Sequence, residues 1–119
     1  MLGLLERVRE RALEFRIKML ERNLLKLLEE TKTEEGKNSI LEMSFFITEA
    51  IRNADRCDIF GALEYISNAG FHAGIYKQAE KLQEKTEDRY EKITKILDRA
   101  AVEVKDILES KCGCKSRRL

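Results

Sequence analysis

A chain of 119 residues with 43% hydrophobic side chains can bury one core, which excludes a wholly disordered segment and fits a single domain. Its 23 basic and 22 acidic side chains are interleaved and leave a net charge of +1, so the basic stripe of a general nucleic-acid binder is absent. Zero prolines, six glycines and a richness in Glu, Lys and Leu predict an all-α protein.

Leu5, Val8, Leu13, Ile17, Leu20, Leu24, Leu27 and Leu28 recur at steps of three and four, which predicts a long first helix reaching about Glu30. The TKTEEGK stretch loses that period and contains Gly36, so it reads as the first connection. Ser39 and Glu42 then have the S-x-x-E spacing of a capping box and predict the start of a second helix. Ile40, Met43, Phe46, Ile47, Ala50, Ile51 and Ala54 share one of its faces, and the polar turn NADRCD ends it near Asn53.

Asp58 or Asp55 is suited to cap a third helix running to about Glu84. Between Arg56 and Lys77 only Asp58 and Glu64 carry charge, and the segment is apolar or small almost all round. That pattern predicts the central, buried helix of the bundle. Its glycines and alanines cost helix propensity, about 1 kcal/mol for each glycine, which close approach of another backbone would offset. Thr86, followed by Glu87 and Asp88, suits the start of a fourth helix that keeps its period almost to Ser110. The result is a four-helix bundle over residues 1–110, followed by a flexible basic tail over 111–119. The apolar excess on the first and third helices predicts a homodimer.

Three cysteines, with Cys57 isolated, form no even disulfide framework. Cys112 and Cys114 read as part of an exposed tail, and with Cys57 they offer one sulfur too few for a closed zinc site. Charge by the sixth residue argues against a signal peptide, so a cytoplasmic location is expected. Residues 57–76 have the length of a membrane span, but Asp58, Glu64, Ser67, Asn68 and His72 make them a poor lipid-facing helix. The high density of interleaved charge is common in heat-stable proteins.

The chemistry-bearing candidates lie on the second and third helices. Glu64, Asn68 and His72 follow at steps of four and form one polar row. Glu42 and Glu49 share a margin of the preceding helix. Acid facing acid needs a cation or proton between them, and hard divalent ions such as Mg²⁺ or Mn²⁺ take oxygen ligands and bring phosphate with them. Each residue also has a plain reading. Glu42 completes the capping box, Glu49 is a solvated edge acid, and Glu64 pairs with an Arg or Lys. Asn68 joins two helices, and His72 is a hydrogen-bonded core residue.

Asn68, Phe71 and His72 have the spacing of a D-x-x-[YF]-H ending, and the third helix resembles that of the all-α nucleoside-triphosphate pyrophosphohydrolases, a group that includes MazG-like proteins, phosphoribosyl-ATP pyrophosphohydrolase and dimeric dUTPases. The resemblance covers about residues 38 to 80. It implies a four-helix bundle of that type, dimeric, hydrolysing a nucleoside triphosphate to the monophosphate and pyrophosphate. Glu42, Glu49 and Glu64 would then hold Mg²⁺ or Mn²⁺, with Asn68 and His72 as catalytic residues and Lys77 and Lys81 meeting the nucleotide's phosphates. The chain departs from the pattern where Asn68 replaces the motif aspartate, Tyr65 its preceding glutamate and Phe45 an inner acid of the first motif. Those departures imply an alternative, a non-catalytic oligomeric bundle that keeps the fold and binds another protein.

Overall fold

In a computed structural model the described residues, 3–113, form four helices: α1 (Leu4–Leu28), α2 (Glu34–Asp55), α3 (Ile59–Ala79) and α4 (Thr86–Lys111). The basic tail expected over 111–119 falls mostly on residues 114–119, outside the described set. Its first expected residue, Lys111, closes α4 and reaches the Asp55 carboxylate at 2.8 Å.

The helix starts follow local hydrogen-bond chemistry, and two differ from the sequence reading. Thr33 caps α2: its Oγ1 accepts from the Gly36 N–H at 2.9 Å. The helix therefore begins five residues before Ser39, at Glu34. Ser39 is buried within α2, and its hydroxyl donates to the Glu35 carbonyl. A serine inside a helix can bond backward in this way, so S-x-x-E alone does not mark an N-terminus. At α4 the capping position belongs to Lys85, in left-handed backbone at φ +60°, and Thr86 is the first helical residue. Asp58 caps α3 as expected, accepting from Gly61 N–H at 3.0 Å. This helix ends at Ala79, a turn earlier than the sequence suggests.

The larger correction concerns which helix is central. α2 packs against all three others and buries ten residues, whereas α3 buries four: Ala62, Ala69, Ala73 and Tyr76. In section the bundle is a flattened rhombus, with α2 and α4 on its short diagonal and α1 and α3 at the far corners. An apolar helix in a corner can cover only one of its sides. The three alanines let α3 approach α2 closely, while Phe60 stays 87% exposed and Phe71 68% exposed on the opposite side. A methyl group added at Gly70 or Gly74 would meet nothing within 4 Å.

The shared core runs from Leu13, Ile17, Leu20 and Leu24 of α1 through Ile40, Met43, Ile47 and Ile51 of α2 to Ile93, Ile96, Ala100 and Val104 of α4. Ion pairs tie the helices at its edges: Arg16 to Glu103 at 2.9 Å and Arg52 to Glu14 at 3.2 Å. The three-cysteine reading is also corrected. Cys57, in the turn after α2, is disulfide-bonded to Cys112 at the end of α4. Spacing could not reveal this, because the two are 55 residues apart and meet only when α2 and α4 pack side by side.

Candidate functional site

The margin where α2 meets α3 gathers rings. Phe46 stacks on His72 with centroids 5.4 Å apart and planes inclined by 28°, and it lies 5.9 Å from the Tyr65 ring. Phe45 meets Tyr65 edge-on, and Phe71 meets His72 edge-on at 5.6 Å. Such offset and edge contacts match the ring quadrupoles, and each is worth about 1 kcal/mol beyond the area it buries. His72, half-buried, is thus held between two phenylalanines. Tyr65 and Phe45, which stand where the resemblance would put acids, are members of the same cluster.

The acids are distributed around this seam. Glu42 and Glu64 are exposed, and Glu49 is half-buried, its backbone carbonyl accepting from Asn53 Nδ2 at 2.7 Å. Asn68 is half-buried. A divalent cation needs oxygens converging at roughly 2–2.6 Å. Among the described residues, no three or more His, Cys, Asp or Glu side chains come together as a metal ion would require. Within one chain, therefore, Glu42, Glu49 and Glu64 do not make a cage that fits Mg²⁺ or Mn²⁺.

Lys77 and Lys81 come together at the far end of α3. With Lys85, Gln83, Thr86, Glu87 and Asp88 they line a shallow concavity of about 250 Å³. Lys77 Nζ lies 3.8 Å from the Glu87 carboxylate and 4.6 Å above the Tyr90 ring. Two acids share this hollow with the lysines, so its positive potential is partly offset.

The most perturbed ionisable group was not among the sequence candidates. Glu80, just past α3, is fully buried and makes an ion pair with buried Arg89 of α4 at 3.3 Å. Its two oxygens also accept from the N–H groups of Lys32, at 3.0 Å, and Thr33, at 2.7 Å, in the α1–α2 connection. Burial pushes its pKa up. The Thr33 side chain, the two N–H groups and the Arg89 charge outweigh that and hold the carboxyl below its ordinary value of 4.5.

Arg89 Nε donates to the Tyr76 hydroxyl at 2.9 Å, and that hydroxyl lies 3.0 Å from Thr31 Oγ1. Thr31 in turn donates to the Leu27 carbonyl. Thr86 Oγ1 bonds the Glu80 carbonyl and completes the closure of the α3–α4 turn. Gly36 belongs to the same arrangement: a Cβ there would fall 2.9 Å from side-chain atoms of Thr31 and Thr33. Every buried side-chain nitrogen and oxygen among the described residues has a partner. One signal for this cluster was legible, because Arg89 stands three and four positions from Thr86 and Ile93 on the apolar face of α4.

Comparison with protein-family models, with curated proteins and with solved structures finds no match. Among the described residues no helix is long and apolar enough to cross a membrane.

Proposed function

We propose that this chain is a non-catalytic helical bundle that works by associating with a second copy of itself. One observation carries the reading: the outer side of α3 is apolar, uncharged through its middle and without a helix over it. The residues expected to perform chemistry support it indirectly. Glu42 and Glu64 lie in solvent, and His72 is engaged by rings. The buried charge of the molecule is spent on closing two connections.

A second reading is a Mg²⁺- or Mn²⁺-dependent nucleotide pyrophosphohydrolase with a degenerate acidic motif. It rests on the Asn68, Phe71 and His72 spacing and on the hollow lined by Lys77 and Lys81. A panel of nucleoside triphosphates with either metal, assayed for pyrophosphate release, separates the two. The bundle reading expects no turnover. Turnover that Glu49→Gln and Glu64→Gln both abolish would replace it with the hydrolase.

A cytoplasmic location is part of the same proposal, and the Cys57–Cys112 disulfide bears on it. Such bonds persist in oxidising compartments, or inside cells of extreme thermophiles. The dense surface charge favours the thermophile interior.

A further inference from the structure

Resting on the self-association reading, we infer that the partner copy docks on the outer side of α3, antiparallel, with the two-fold axis passing beside Ser67. The first argument is period. Phe60, Leu63, Ser67, Gly70 and Gly74 follow at alternating steps of three and four, the spacing of a seam between two helices. The four buried residues of α3, Ala62, Ala69, Ala73 and Tyr76, form a separate stripe, so this seam is not used by the chain's own core.

The second argument is shape. The seam is bulky at its start and bare toward its end: Phe60 and Leu63 are 87% and 54% exposed, whereas Gly70 and Gly74 have open space where a side chain would sit. Reversing a second α3 about Ser67 lays Phe60 over the partner copy's bare turn at Gly74 and Leu63 against its exposed Phe71. Phe60 and Gly74 thus lie as knob and hollow at matching distances from the axis, as a two-fold interface requires, with Leu63 and Phe71 as an apolar pair between them. A parallel pairing would stack Phe60 on Phe60 and leave a void between facing glycines.

The third argument is charge. The acids of the segment, Asp58 and Glu64, lie in the first half of α3, and Lys77 and Lys81 lie at its end and just beyond. Antiparallel docking brings Asp58 beside the partner copy's Lys77 and opposes the helix dipoles; parallel docking sets like against like. The exposed rings also supply part of the area such a contact needs. Phe60 and Phe71 alone expose on the order of 300 Å² of ring surface, taking about 200 Å² for a free aromatic side chain. A standard interface takes about 800 Å² from each partner.

The test uses the full chain with Cys114→Ser, leaving the Cys57–Cys112 bond intact. Light scattering at micromolar concentration is expected to give a dimer. Ser67→Cys is expected to yield a covalent dimer with a short bismaleimide. Phe60→Cys is expected to do so efficiently only when mixed with Gly74→Cys. Gly74→Trp fills the hollow and is expected to weaken the dimer at least tenfold while the circular dichroism of the diluted chain stays helical and its thermal transition does not fall. A monomer at micromolar concentration overturns the inference and the self-association reading together. A dimer that cross-links poorly through position 67, or is indifferent to Gly74→Trp, overturns this face and register and leaves self-association standing.

Discussion

Glu64 and Glu80 belong to one helix and its cap, and they show how differently two ends of a small bundle use a carboxylate. Around Glu64 the helix is open, its neighbours are rings and small residues, and the charge stays in water. Around Glu80 three connections and helices close over a carboxylate that has an arginine and two backbone N–H groups to compensate its desolvation. The apolar character of a segment thus says little about whether its acid is buried. What decides it is whether other elements arrive with enough donors to replace water.

That contrast is sharpened first by removing each acid. Glu80→Ala leaves Arg89 buried and unpaired, and urea unfolding should show a loss of about 3–5 kcal/mol. Acid titration probes the same group. Its pKa is lower folded than unfolded, so its stabilisation is complete above 4.5 and fades as pH falls through the folded value. In Glu80→Gln the part of the acid-induced loss that lies below pH 4.5 should be smaller than in the parent chain.

Next in size is the Cys57–Cys112 bond, which ties the turn after α2 to the end of α4 across a separation of 55 residues. Cys57→Ser should cost about 2–4 kcal/mol by the same measurement, because a long loop in the unfolded chain is released. At the open end the effects shrink. His72→Ala removes a stack and an edge contact and should cost about 2 kcal/mol. Glu64→Gln should move stability by less than about 0.5 kcal/mol, as surface changes do. Equal losses from Glu64 and Glu80 would break the comparison.

Much of the fold was legible because helix periodicity is a local property. The apolar steps of α1, the Asp58 cap and the long apolar stripe of α4 need only neighbours within a few residues. The early start of α2 was missed because Thr33 competes with Ser39 as a cap, and the winner is set by contacts with Glu80, far along the chain. Of the candidate site, the row at Glu64, Asn68 and His72 and the acids at Glu42 and Glu49 were readable as residues on helix margins. The rings that surround His72 were not readable as its partners, since Phe46 reaches it only once α2 and α3 are side by side.

By itself the sequence determined that the described chain would be helices, because composition and a period near 3.6 leave a strand no repeating face to bury. It determined too that α3 carries more apolar surface than one contact can use. Tertiary structure alone decided that α2 is central, that Cys57 meets Cys112, and that the buried acid is Glu80. Those outcomes depend on which helices become neighbours. Burial and pairing are properties of the meeting of distant segments, and no window of the chain contains both partners.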